Sequence, residues 1–408
     1  MAAPTTSNTT AAAPAPHLPP VSPGVPAMDG ALQGVLRTAG PNSGALVYDL
    51  TSQKVLFAVR DGVKRPPASV EKLYTSVALL QMLGPDMRLN TAVLGAGHLG
   101  PGGVWHGDLY LRGSGDPTFG DGTFNKVWQH GYGPTAAELV GQLLAHGIHH
   151  VTGQLIGDDS LLDARPGGPA LGYAADLPDY EGELGALTYD HGSTSERLTA
   201  GAFAAQEVAR ALNAANVSVR AAHQTHPAPR DAHQLASVSS PPLRVLLKLM
   251  DVPSDDLFAD DLTEQLGLQV GGFGTITAGA QVIGQVIGSY DIHPNVVDGS
   301  GLSRKDQTSP AEVVALLREV WHTRAGDTLS ASLPVVGVSG TTQTIANHTP
   351  AQGNCVAKTG TLDYVTNLAG YCHRPGHHVV AFALFIDGPP NWQAIDMEGK
   401  MVAAIARY

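Results

Sequence analysis

A chain of 408 residues with 43% hydrophobic side chains has enough apolar material for two packed domains, or three. Its formal charge of −12, with only eight lysines, excludes the basic surface that follows a phosphate backbone, so no nucleic-acid partner is expected. No run approaches the roughly 18 consecutive apolar residues of a membrane span, which leaves peripheral membrane contact or none.

Residues 1–27 are rich in Ala, Pro, Thr and Ser and carry no charged side chain, and the composition predicts a disordered tail over residues 1–29. The tail has neither the basic start nor the apolar segment of a secretory leader, so a cytoplasmic protein and a chain that begins after processing both stay open. Two short strands are predicted at 44–50 and 55–60 around a turn at 51–54. In the next stretch, PPASVEKLYTSVALLQMLG, Val70, Leu73, Val77, Leu80 and Leu83 recur at helical spacing. A helix buried along one side is therefore predicted from Ser69 until Gly84-Pro85 stops it. Lys72 lies one turn beyond Ser69 on the same face, which sets an amine beside a hydroxyl.

From Leu89 the texture changes. Short β-like runs at 91–94, 108–111 and 154–156 alternate with Gly-rich turns at 95–103 and 112–117. A helix at 135–146, a polar loop at 165–183, a helix at 200–215 and a Pro- and His-containing linker at 225–234 complete a separate, mainly β unit over residues 89–239. Helical spacing returns at 241–250, 257–266, 279–287 and 310–322. Alternating strands are predicted at 354–359, 366–373 and 379–386, and a last helix at 392–407. No repeat of fixed period is present.

Ser69-Val70-Glu71-Lys72 is the chain's one Ser-x-x-Lys, and Lys358-Thr359-Gly360 its one Lys-Thr-Gly. A serine hydroxyl needs a base, and a lysine can serve only when neutral. Burial and a second cation both favour that form, which gives Lys358 a reason to lie near Lys72. In an extended run Lys358 and Gly360 share one face, with Thr359 and Thr361 on the other. Gly360 is read as leaving room for a substrate backbone.

Ser-x-x-Lys followed by Lys-Thr-Gly resembles the motif set of the penicillin-recognising serine enzymes. The segments GPDMRLNTAV, LYLRGSGDPTF, HVTGQLIGDDSLLDA, VVDGSGLSR and CVAKTGTLDYVTNLAGY narrow the match. In that order they resemble the D-alanyl-D-alanine carboxypeptidase/endopeptidase group of low-molecular-mass penicillin-binding proteins, of the penicillin-binding protein 4 type, over residues 43–408. The resemblance implies an α+β fold: a β-lactamase/transpeptidase-like domain, with an antiparallel five-stranded sheet between helices, over 30–88 and 240–408. Residues 89–239 would be the inserted, mainly β domain. A third, nested domain is not expected, because the helix at Ala200 follows Tyr189-Asp190-His191 too closely.

Carried over by motif, Ser69 would attack the carbonyl of a terminal D-Ala-D-Ala bond and form an acyl-enzyme, with Lys72 taking its proton. The backbone N–H groups of Ser69 and Thr361 would form the oxyanion hole. Lys358, Thr359, Gly360 and Thr361 would hold the substrate, and Asp163 in the insert is a candidate for binding a basic side chain of the stem peptide. The implied partners are the peptidoglycan stem peptide and β-lactam antibiotics, with no cofactor and no metal. The implied location is the extracytoplasmic cell envelope or the medium. Trimming (carboxypeptidase) and cross-link cutting (endopeptidase) both fit.

The family's Ser-x-Asn motif is where this chain departs. At its place, after an apolar helix, stands Ser254-Asp255-Asp256, and no Ser-x-Asn occurs anywhere. An Asn amide can donate to a substrate carbonyl, whereas an ionised Asp only accepts and also favours the charged form of a nearby lysine. Ser254 is read as a proton relay, and Asp256 as positioning Lys72, in its ionised or its protonated form, with lower activity as the consequence. A non-catalytic or weakly active wall-binding homologue is therefore the main alternative. A β-lactamase is the lesser one, opposed by the 185 residues between Ser69 and Ser254 and by the lack of a Glu placed as a class A deacylating base.

Cys355 and Cys372 are equidistant from the predicted turn near Asp363-Tyr364, which allows a free buried pair or a disulfide; the exported family implies the disulfide. His146, His149, His150 and the pair His377-His378 lack the spacing of a zinc site. Asp158, Asp159 and Asp163 fit no calcium loop and are read as turn caps. Residues 298–304 are read as a structural loop near the cleft.

Overall fold

The computed structural model describes residues 26–165, 182–195, 197–374 and 378–408. The chain opens with α1 (Pro26–Ala39), strands β1 (Gly44–Asp49) and β2 (Lys54–Val59), a 3₁₀ turn (Ala68–Glu71) and α2 (Lys72–Met82). There follow β3 (Asn90–Gly100), β4 (Val104–Arg112), α3 (Gly122–Trp128), α4 (Ala136–Ala145), β5 (His150–Asp158), α5 (Ala200–Ala214), β6 (Ser218–Ala221) and β7 (His233–Ser239). The remainder comprises α6 (Leu243–Asp251), α7 (Asp256–Leu266), α8 (Ile276–Gly288), α9 (Pro310–Val320), α10 (Arg324–Ser332), β8 (Cys355–Leu362), β9 (Val365–Arg374), β10 (His378–Asp387) and α11 (Asn391–Arg407).

Two five-stranded sheets organise these elements. The first, in the order β2-β1-β10-β9-β8, is antiparallel throughout and is built from both ends of the chain. One face buries Leu46, Tyr371 and Phe385 against α2 and α6 to α9, and the other buries Val47, Leu368 and Phe382 against α1 and α11. The second, in the order β6-β5-β4-β3-β7, draws every strand from residues 90–239. Its β4–β5 and β5–β6 pairs are parallel, which requires the crossovers that α3, α4 and α5 supply.

Several expectations are corrected. The tail does not extend to residue 29: α1 begins at Pro26, and Met28, Leu32, Leu36 and Ala39 bury one helical stripe. Residues 1–25, most of the 165–183 loop and His377 lie outside the described residues. Ser69 stands in the 3₁₀ turn, not the α-helix, which starts at Lys72. That helix is buried from Lys72 to Leu80 on all sides, because α6, α7, α8 and α10 surround it. The Gly-rich segment at 95–103 is mostly strand. Gly95 and Gly97 permit the close β3–β4 approach, since a Cβ would lie 2.4 Å from the Trp105 ring at the first and 2.1 Å from the His106 carbonyl at the second.

Cys355 and Cys372 stand directly opposite each other in the β8–β9 register and are joined by a disulfide.

Candidate active site

Pro66 and Pro67 bring the chain to the sheet, Pro67 already with helical backbone angles, and the Asn367 amide on β9 donates to both of their carbonyls (3.0 and 2.9 Å). Ala68 then adopts a left-handed φ of 48°, a strained conformation held by its burial, and turns the chain so that Ser69 is half-exposed. Gly360 closes on this turn. A Cβ there would lie 2.5 Å from the Pro67 carbonyl oxygen and 2.9 Å from the Val70 nitrogen. The glycine is thus required by the backbone on either side of Ser69.

Lys72, the first residue of α2, has no accessible side-chain surface. Its ammonium donates to Ser69 Oγ (3.1 Å), to the Ser300 carbonyl (2.7 Å) and to Asp256 Oδ1, so all three protons are used. The Ser300 carbonyl is fixed by a folded loop in which the Asp298 carboxylate accepts from the N–H groups of Gly301 (2.6 Å) and Ser303 (2.9 Å). The motif segment read as purely structural therefore supplies a direct ligand to the Lys72 amine.

Ser254 lies between α6 and α7 with a left-handed φ of 69°. Asp255 caps α7, accepting from Phe258 N–H (2.9 Å), and pairs with His191 of the insert (2.8 Å). Asp256 follows as the first residue of α7 and faces Lys72. Lys358 reaches from β8 to donate to Ser254 Oγ (2.7 Å) and to the Thr359 carbonyl (3.0 Å). Each amine therefore holds one hydroxyl: Lys72 holds Ser69, and Lys358 holds Ser254.

Full burial, aided by the Lys72 charge and opposed by Asp251 and Asp256, pushes the Lys358 amine down to about 7. Burial raises Asp256 above the usual carboxylate range, against the pull of Lys72 and Lys358. Burial likewise raises Asp251 to about 6, although Ser332 Oγ (2.6 Å) and Ser76 Oγ (3.3 Å) donate to it. The pocket thus holds an amine, Lys358, and a carboxylate, Asp251, both shifted towards neutrality, beside Asp256, whose carboxyl burial raises.

A groove of about 360 Å³ opens over these groups and is lined by Ser69, Ser254, Asp256, Thr341, Thr359 and Thr361, among others. Residues 334–336 cover the first part of the β8 edge, with Ala357 N–H bonded to the Pro334 carbonyl (3.0 Å), and from Thr359 onward that strand borders the groove. Asp163 does not line it. Its backbone N–H donates to the Gly274 carbonyl (2.8 Å), and its carboxylate faces Arg165 at 3.7 Å. Asp158 is occupied by Arg112 Nε (2.7 Å) and Ser160 Oγ (2.6 Å). Among the described residues no group of three His, Cys, Asp or Glu side chains could hold a metal ion, and no single helix is long and apolar enough to cross a membrane.

The chain is similar to the D-alanyl-D-alanine carboxypeptidase of Actinomadura sp. (strain R39), at 26% identity over 94% of this chain and 82% of that protein. It is also similar to the carboxypeptidase Rv3627c of Mycobacterium tuberculosis, at 27% identity over 88% of this chain and 79% of that protein. Among solved structures, penicillin-binding protein 4 (dacB) of Haemophilus influenzae superposes with a TM-score of 0.77 at 19% identity, covering 92% of this chain and 99% of that one. A penicillin G-acylated predatory endopeptidase of Bdellovibrio bacteriovorus gives 0.52 at 18% identity, over 88% and 90% of the two chains. The D-Ala-D-Ala carboxypeptidase 3 (S13) family model matches residues 27–202 and 185–408, nearly the whole described fold, and the chain belongs to that family.

Proposed function

We propose that this chain is a serine DD-peptidase that hydrolyses the D-Ala-D-Ala end of peptidoglycan stem peptides through an acyl-enzyme on Ser69, and that β-lactams acylate the same residue. The observation that carries the reading is the buried Lys72 amine, 3.1 Å from Ser69 Oγ at the floor of a groove also lined by Ser254, Thr359 and Thr361. Lys72 must be neutral to act as the base, and burial, which raises Asp256, weakens that carboxylate's hold on the amine's proton without abolishing it. Ser69 Oγ then bonds to the carbonyl carbon and its proton passes to Lys72. The C–N bond breaks, and the leaving amine takes a proton relayed through Ser254 from the Lys72–Lys358 pair. Water hydrolyses the ester and returns the proton.

Thr359, Thr361 and Lys358 hold the substrate carboxylate, and the N–H groups of Ser69 and Thr361 receive the developing oxyanion. The similar proteins include a carboxypeptidase from Actinomadura and an endopeptidase from Bdellovibrio, and both activities are included in the proposal. The Cys355–Cys372 disulfide supports an extracytoplasmic location, where its substrate lies. The separate sheet and core of residues 90–239 support an inserted domain between the two halves of a catalytic domain that starts at Pro26.

Mass spectrometry after benzylpenicillin treatment tests the reading. An adduct on Ser69, absent in Ser69→Ala and long-lived in the parent, is expected together with D-alanine release from an N-acyl-D-Ala-D-Ala peptide. Rapid turnover of the adduct would favour a β-lactamase. Folded protein that no β-lactam labels would favour the non-catalytic reading, to which Asp256 in the place of Asn gives its one support.

A further inference from the structure

The groove does not end at Thr359 and Thr361. Side chains at 355, 357, 368 and 372 face the α1–α11 layer, so Thr366, two residues before Leu368 on β9, faces it too. On that side the same cavity continues between the sheet and α11, walled by Thr344, Ile345 and Ile395 and floored by Thr366 and Glu398. The Thr359 and Thr341 hydroxyls, bonded to each other at 2.7 Å, stand at its entrance.

Two floor groups have no use in the mechanism, and each carries an atom without a partner among the described residues. Glu398 is 1% exposed and its Oε1 makes no hydrogen bond; Thr366 is 1% exposed and its Oγ1 makes none. Buried polar atoms are almost always paired, and two orphans on residues that line one cavity call for a ligand that pairs with them. The charged side chains lining the whole groove are Asp256 and Glu398, both acidic, so the complementary ligand is a hydrogen-bond-donating cation. Burial alone raises the Glu398 carboxyl well above its usual range, with no cation compensating it.

We propose that this annex is a subsite for the residue on the leaving side of the scissile bond, and that Glu398 with Thr366 receives an ammonium at the end of that residue's side chain. The inference rests on Ser69 being the nucleophile. With the leaving residue's carboxylate on Thr359 and Thr361, its side chain enters past Thr341 and ends at α11. The enzyme therefore selects leaving residues longer than alanine that carry a terminal amine.

Two peptides with a common N-acyl-D-Ala donor, one ending in D-lysine and the other in D-norleucine, test this without any variant. The expected kcat/KM is at least about tenfold higher for the D-lysine peptide, because a site built for a polar group rejects the analogue lacking it. Glu398→Gln should reduce that ratio severalfold and Thr366→Val should reduce it less, with benzylpenicillin labelling of Ser69 reporting that each variant is folded. A ratio near one in the parent, or an unchanged ratio in labelled Glu398→Gln, overturns the subsite. Absence of both turnover and labelling at Ser69 in the parent overturns the nucleophile assignment along with it.

Discussion

Replacing Asp256 by Asn changes one atom type at the centre of the site and should make the protein a faster enzyme. The Lys72 ammonium meets Ser69 Oγ, the Ser300 carbonyl and Asp256, and only the last carries charge. A charge pair at contact in a protein environment is worth up to about 4 kcal/mol. Because the Asp256 side chain retains 12% accessibility, solvent screening leaves about 1.4 to 2.7 kcal/mol of that to bear on the rate. Asp256 also holds up the Lys358 amine, so its loss favours the neutral form of both lysines.

The acid limb of the pH–rate profile should therefore move down. D-Alanine release near pH 6 should rise about ten- to a hundredfold. The new amide adds a donor for the substrate carbonyl, worth about 1 kcal/mol. Stability moves the other way. An amine left without its counter-charge binds its proton less well folded than unfolded. The penalty is largest at low pH and fades as pH rises towards the lysine's ordinary value. Initial rates of D-alanine release from pH 5 to 9, with benzylpenicillin acylation beside them, provide the assay. If Asp256→Asn is no faster at any pH and its acid limb stays in place, the carboxylate is not what limits this site.

Gly360→Ala should lower the rate of Ser69 acylation by at least about a hundredfold while leaving the circular dichroism near native, since the new methyl meets backbone, not a movable side chain; acylation within about threefold of the parent would contradict the close approach. Burial raises the Glu264 carboxyl to about 10, reinforced by Asp261, Asp163 and Asp260 and opposed by Arg165, so the folded protein holds a proton that the unfolded chain releases above about pH 4.5. That stabilisation is whole below pH 4.5 and declines by about 1.4 kcal/mol per pH unit as pH rises. Glu264→Gln should thus gain on the parent in urea unfolding between pH 5 and 9, and parallel curves would refute it. Replacing Cys355 and Cys372 together by Ser opens a link between residues 17 apart and should lower the unfolding free energy by about 3 kcal/mol, seen as a lower urea midpoint. An unchanged midpoint would show that the bridge contributes nothing.

What was legible in the chain was what repeats locally. Ser69 and Lys72 are three residues apart, and the alternation of Lys358, Thr359, Gly360 and Thr361 follows from the pleat of one strand. The strands of the first sheet and the last helix, α11, follow from apolar period. The contributions that escaped are of other kinds. Ser300 acts through a backbone carbonyl, which no residue type announces. Asn367 steadies Pro66 and Pro67 from about 300 positions away. Glu398 reads as an ordinary helix-surface acid until its burial is seen. The stripe of α1 was hidden because Ala and Pro dominate the residues before it. The role of Gly360 was misread because the backbone it touches is distant in sequence. Asp163 is placed at the cleft by the family resemblance alone; it does not line the groove, and its carboxylate faces Arg165, two residues along the chain.

The contact of Gly360 with Pro67 and Val70, tightened by the Asn367 amide, welds one wall of the groove. The edge strand and the Ser69 turn can shift only as a single body. Room for bulkier acyl groups must then come from the opposite bank, where residues 341–345 border the cavity and Ser254 sits on a left-handed bend. Variants that broaden acceptance, or that slow a drug while sparing the natural peptide, should therefore accumulate along that bank and leave the strand unaltered.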